Sequence, residues 1–257
     1  MKKESTYQVI FFVMIFAVWE AVIIIFEIPG YLLPRPSEII LIIPAEFQLL
    51  LKHTQVSALE AILGLALGVS AATVLAIATH YFRILEITVY PLVAALQTIP
   101  KVAIAPLLLV WLGFGILPKV VISALMCFFP MVINLTKGLK NTDPDLLDVM
   151  KVYRISKWEI LCRIRVPGAM PDFFAGLKIA VPFSVIGVVV GEFVGAYQGL
   201  GYLITQAQAK LDISMVFASI IFLSFIGVFF FTIIELIEKR IVFWRVSENG
   251  INEKIVW

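Results

Sequence analysis

Long apolar runs alternate along the chain with short charged or proline-rich breaks. A hydrocarbon core about 30 Å thick takes about 20 apolar residues per helix. Six runs fit that template, Tyr7–Phe26, Ser57–Tyr81, Ile84–Leu112, Lys119–Leu135, Phe173–Ala196 and Ile213–Ile237. The first follows Lys2 and Lys3 and ends at Ile28-Pro29-Gly30. It contains Glu20 and no small-residue cleavage pattern, so it reads as a retained anchor rather than a signal peptide. Between the first two runs, a stretch with Pro34, Pro36 and Pro44 includes a short amphipathic piece, Ser37 to Leu51, expected along the interface with Ser37 as its cap. The second run carries Gly64, Gly68, Ser70, Ala71 and Ala72, residues small enough for close helix approach. The third is interrupted by Pro91, Pro100 and Pro106 and is expected to bend and to line a cavity, because broken backbone at membrane depth needs protein or water to satisfy it. Gln198-Gly199-Leu200-Gly201 reads as a flexible turn after the fifth run.

Composition agrees with this pattern and excludes an ordinary soluble domain. The 257 residues are 61% hydrophobic and only 15% charged, and the mean hydropathy is +1.01. A net charge of +2 gives no reason to invoke nucleic acid. Cys127 and Cys162 match no disulfide or metal framework and read as small apolar fillers; His53 and His80 lack the companions of a metal site. No catalytic constellation stands out, and no Gly-rich phosphate cradle of the form GxxxxGK[ST] occurs. Basic residues orient the chain. With the amino terminus in the cytoplasm, Lys2, Lys3, Arg83, Lys137, Lys140, Lys151, Arg154, Lys157, Arg163, Arg165, Lys239, Arg240, Arg245 and Lys254 fall inside, whereas Arg35, Lys52, Lys119 and Lys210 fall outside. Both termini are therefore expected in the cytoplasm.

The segment from Thr136 to Asp172 is the one sizeable polar stretch. Acidic residues at Asp143, Asp145 and Asp148 favour the start of a helix reaching about Tyr153, and a second short helix is expected from Ser156 to Arg165. The first offers apolar Leu146, Leu147, Val149, Met150 and Val152 between charges, a pattern suited to docking in a partner's groove. A solvated connector packed on the bundle is the alternative.

The run Asp145 to Trp158, followed by Ile164-Arg165-Val166-Pro167-Gly168-Ala169-Met170-Pro171, resembles the "EAA" loop of permease subunits of binding-protein-dependent ABC importers. Further stretches resemble the branch serving sulfonates, nitrate, taurine and thiamine-precursor pyrimidines. They are Leu33-Pro34-Arg35-Pro36-Ser37-Glu38; Ile99 to Pro106 with Trp111 to Gly115; Phe128-Phe129-Pro130; Ala175 to Ala180; and Gly191-Glu192-Phe193-Val194-Gly195 through Gly201. Asp148 stands at the family's glutamate, Val149 and Met150 at its alanines and Arg154 at its glycine.

The resemblance implies an all-α, six-helix, type I (MetI-like) permease fold with a cytoplasmic coupling helix. Residues 1–54 would form the first span and an extracytoplasmic segment, 55–240 the core with its loop at 136–172, and 241–257 a cytoplasmic tail. It also implies a bacterial cytoplasmic membrane, a homodimeric pore, a cytoplasmic ATPase dimer and an extracytoplasmic substrate-binding protein. ATP and magnesium would sit on the ATPase, and this chain would bind no cofactor. Asp145, Leu146, Leu147, Asp148, Val149, Met150, Tyr153, Arg154, Ile155 and Ser156 are the coupling candidates. Gln97, Thr98, Pro100, Lys101, Glu192 and Gly195 are candidates for the pathway. Ionisable groups inside a bilayer are costly. Glu192, among glycines, is the strongest case, as a pathway group partnered by Lys101 or as one end of an interhelical hydrogen bond. Glu20 is expected to pair with a neighbouring helix, and Glu60, Lys178 and Glu235 to snorkel from span ends. An ion-gradient-driven transporter or a channel would leave the polar loop unexplained.

Overall fold

The computed structural model describes residues 2–244, and every regular element among them is helical. In chain order these are α1 (Lys2–Ile25), α2 (Pro36–Ala45), α3 (Phe47–Tyr81), α4 (Arg83–Leu96), a 3-10 turn (Lys101–Ile104), α5 (Ala105–Leu112), α6 (Ile116–Lys140), α7 (Pro144–Val152), α8 (Lys157–Ile160), a π turn (Leu161–Arg165), α9 (Val166–Gly195), α10 (Leu200–Ala209) and α11 (Ile213–Ile241). Arg245, Lys254 and most of the expected tail lie outside the described residues. An all-helical outcome follows from the apolar runs, because a lipid-embedded backbone has no water to bond and a helix satisfies its own amides.

Among the described residues, α3, α6, the continuous stretch Lys157–Gly195 and α11 are long and apolar enough to cross a bilayer, and the bent pair α4 with Lys101–Leu112 makes a fifth. α1 contributes a shorter apolar stretch, Ile10–Ile25. These are the elements in which six crossings were expected. Helix α6 is the central one: 67% of its apolar window is buried, against 11% for α11. Helices α3 and α9 both pack against it at positions without side chains. A Cβ on Gly187 would lie 2.6 Å from the Ser123 Cα, and one on Gly64 would overlap the Ser123 side chain. In lipid, where apolar burial drives no association, such close backbone packing holds helices together. Gly64, Gly68 and Ala72 do form this face, whereas Ser70 and Ala71 are exposed. Cys127 is buried and its thiol donates to the Ala180 carbonyl at 3.3 Å, but Cys162 is exposed on the π turn rather than filling the interior.

Several expected boundaries move. The interfacial piece ends at Ala45, and residues through Leu51 belong to α3, which starts at Phe47 instead of Ser57. Ser37 does not cap α2. Arg35 holds the cap position, its N–H donating to Glu38 Oε2 at 3.2 Å, and Pro36 follows where no donor is needed. Ser37 instead gives its hydroxyl, at 2.7 Å, and its N–H, at 3.1 Å, to the Glu20 carboxylate, tying α1 to α2. The third run breaks at Gln97–Pro100 and turns by 88°. The fifth does not begin at Phe173. The loop's second helix enters it directly through the π turn, which precedes Pro167, a residue unable to donate to the carbonyl of Arg163. The expected flexible turn at Gln198–Gly201 is the ordered start of α10, with Gly199, Leu200 and Gly201 buried.

Candidate functional site

His53, Ser57 and Glu60 fall on one face of α3, the face continued by Gly64 and Gly68, and are buried. That face meets the start of α10. The Gly199 N–H donates to His53 Nδ1 at 3.0 Å, the Leu200 N–H to Ser57 Oγ at 2.8 Å, and the Gly201 N–H to Glu192 Oε2. The Ser57 hydroxyl in turn donates to Glu192 Oε1 at 2.7 Å. Three amides that a helix start leaves unpaired are thus satisfied by side chains from α3 and α9, with a carboxylate at the positive end of the α10 dipole. Gly199 is required twice over. Its φ is +114°, and a Cβ there would overlap the Glu192 carboxylate.

Beside this cap, Glu60 and Lys119 of α6 form a buried ion pair. Both expectations for these residues change. Glu60 lies well inside α3 because that helix begins at Phe47, so it does not snorkel. Lys119 sits inside α6 because that helix begins at Ile116, so it is not an exposed flanking lysine. Lys178 reaches Glu238 on α11, and Glu235 pairs with Lys239 at 2.8 Å. The glycine stripe of α3 carries the signal that finds His53, Ser57 and Glu60. Continued toward the amino terminus, it passes through polar residues that an outward face would not need.

The other pathway candidates separate. Gln97, Thr98, Pro100 and Lys101 come together at the break after α4, where Thr98 donates to the Ala95 carbonyl at 2.7 Å. Lys101 Nζ donates to the Gln97 carbonyl at 2.7 Å and lies 4.6 Å from the centre of the Phe129 ring. The lysine therefore closes the carbonyl end of α4 and is not the partner of Glu192. Gly195 belongs to a third contact, against Leu109 of α5 and Phe114.

The loop is built from local rules. Asp143 Oδ1 accepts the Asp145 N–H at 2.9 Å at the start of α7. At its end, Arg154 adopts φ +53° and the Ile155 N–H bonds back to the Met150 carbonyl at 3.2 Å, the closing bond of a left-handed helix cap. Ser156 then caps α8, accepting the Glu159 N–H at 3.2 Å while its hydroxyl donates to the Glu159 carboxylate at 2.9 Å. Leu146, Val149, Val152 and Tyr153 are exposed, with Val152 at 81%, whereas Leu147, Met150 and Ile155 are half-buried. The apolar docking stripe is thus narrower than the sequence pattern. Among the described residues Arg154 makes no ion pair with the chain's own acids.

A left-handed backbone costs an arginine about 1 kcal/mol relative to glycine. Arg154→Gly is therefore expected to slow amide exchange across α7 about fivefold. Hydrogen exchange read by mass spectrometry tests this, and unchanged protection would mean that the turn is not strained.

Residues 64–243 match the family described as binding-protein-dependent transport system inner membrane component. The chain belongs to that family. It is similar to a probable ABC transporter permease protein of Haemophilus influenzae, 36% identical over 229 residues that span 89% of this chain and 93% of the relative. It is similar also to the formylaminopyrimidine transport permease of Halalkalibacterium halodurans, 35% identical over 92% of this chain and 94% of the relative. A putative aliphatic sulfonates transport permease of Bacillus subtilis is 29% identical over 92% of this chain and 86% of that protein. The protein is thus a multi-pass permease, the membrane pore subunit of an ABC importer. The polar cluster at α10 and the loop at α7 are features of one transport machine.

Proposed function

We propose that the permease carries a small polar or anionic nutrient, of the sulfonate or pyrimidine-precursor kind, inward across a bacterial cytoplasmic membrane. A soluble ATPase dimer drives the movement through α7, hydrolysing ATP with magnesium on its own chains. An extracytoplasmic binding protein delivers the solute to a pore formed with a second copy of this chain, whose termini lie in the cytoplasm. This chain itself performs no catalysis. The names of relatives that carry a formylaminopyrimidine and aliphatic sulfonates support the solute class. The half-buried Lys101, beside exposed Gln97 and Thr98 at the Pro100 break, supports passage of an anion. Glu192 is occupied by Ser57 and α10, which supports a role in holding the pathway wall and not in meeting the solute.

The observation that carries the coupling is the exposed stripe Leu146, Val149 and Val152 on α7, beside a loop helix that runs unbroken into a membrane span. An apolar stripe left in water is stabilised by a partner groove. Val149→Asp with Val152→Asp should reduce co-purification of the ATPase at least tenfold, about the loss of a hot-spot contact, without lowering permease yield in the membrane. Full recovery of the ATPase with this variant would overturn the assignment of α7 as the docking helix.

A further inference from the structure

Where α3 ends and the loop returns toward the bundle, a cavity of about 530 Å3 opens, well apart from the α10 cap. Arg154 and Lys157 from the loop, Arg165 from the π turn and His80 from the last turn of α3 line it, and among the described residues no carboxylate does. Two acids near it, Glu86 and Glu159, are engaged elsewhere. Glu86 pairs with Lys140 at 2.9 Å, and Glu159 is bound to the N–H and hydroxyl of Ser156. Arg165 donates to the Leu139 carbonyl at 3.0 Å, and its Nη1 lies 3.4 Å from His80 Nδ1, which fixes its guanidinium at the cavity wall. Arg154 and Lys157 make no ion pair among the described residues.

Three cations line this one cavity, and the repulsion among them is relieved when an anion sits between them. Arg154 reaches the cavity from a left-handed backbone at φ +53°, a setting that a non-glycine residue keeps only where the surroundings impose it. The rest of the lining is Leu147, Ile155, Ile160 and Tyr81. Trp158, 64% exposed, follows Lys157 in α8. Aromatic side chains beside basic ones at the end of an apolar span mark the level of lipid headgroups.

We propose that this cavity binds a phosphate group presented by the headgroup of an anionic phospholipid. Arg154, Lys157 and Arg165 supply the donors, and the apolar wall takes the first part of the acyl chains. The lipid pins the turn between α7 and α8 to the membrane surface and sets the height at which α7 is offered to a partner. The inference rests on the permease's seat in the bilayer and not on the ATPase contact, so it stands or falls by lipid binding alone.

The experiment is native mass spectrometry of the full-length permease in detergent, titrated in turn with phosphatidylglycerol, phosphatidylcholine and inorganic phosphate. Phosphatidylglycerol should bind and phosphatidylcholine should not. Arg154→Gln with Lys157→Gln should weaken phosphatidylglycerol about thirtyfold, from about tenfold per 1.4 kcal/mol and about 1 kcal/mol per lost cation. Arg154→Lys with Lys157→Arg keeps the charge and should keep the binding. Equal lipid affinity of the wild type and the glutamine variant overturns the site. So does equal loss in the charge-preserving variant, which would make the effect one of folding. Displacement of the lipid by inorganic phosphate at equal concentration would assign the cavity to the free ion and overturn the lipid.

Discussion

Glu60→Ala is expected to destabilise the permease by about 3–5 kcal/mol, because it leaves the Lys119 ammonium buried without its ion-pair partner. Lys119→Ala should cost a comparable amount by stranding Glu60 beside the Glu192 carboxyl. The two effects should not add. A buried pair replaced as a pair by apolar residues of similar volume is often neutral or better. Glu60→Leu with Lys119→Met should therefore unfold near the wild-type temperature, while each single variant unfolds well below it. Thermal unfolding of the purified protein in detergent measures all four. A double variant as unstable as the sum of the singles would show that the two charges do not stabilise each other in the fold.

Glu192→Ala is expected to expose α10 to exchange. The substitution removes the acceptor of the Gly201 N–H and of the Ser57 hydroxyl, both buried. Stranding such groups, one of them bonded to a charge, costs about 3 kcal/mol. That corresponds to about a hundredfold faster amide exchange from Leu200 through Leu203. Glu192→Gln should behave similarly. An amide oxygen still accepts from Ser57, but the amide nitrogen faces the Gly201 N–H donor to donor. Protection from Leu135 to Leu139, at the other end of α6 from Lys119, serves as the internal reference. If α10 exchanged no faster in either variant, Glu192 would not be what holds it.

The sequence carries the membrane class and the central packing face plainly, because apolar run length and small residues at helical spacing act locally. Gly64 and Gly68 are found this way and sit against α6. The loop's two helices were legible, since acidic Asp143 and Asp145 open α7 and a second helix follows Ser156. Partners distant in sequence were not. Glu60 and Lys119 stand in separate runs, each near an expected end, and only the longer reach of α3 and α6 buries them together. Lys101 seemed a natural partner for Glu192 by charge alone. The backbone supplied nearer ones to both: an unpaired carbonyl at Gln97 for the lysine and an unpaired amide at Gly201 for the carboxylate. Helix α10 was missed because Gly199 and Gly201 read as a turn, whereas here they make room for the carboxylate that starts a helix.

The unbroken stretch Lys157–Gly195 has a mechanical consequence. At about 1.5 Å per residue it is a rod about 58 Å long, so a tilt of about 5° at the loop end displaces the opposite end by about 5 Å. The far tip of that rod holds Glu192 and, through it, the first turn of α10. A small rotation imposed on one side of the bilayer is thereby delivered, magnified in amplitude, to the helix start on the other.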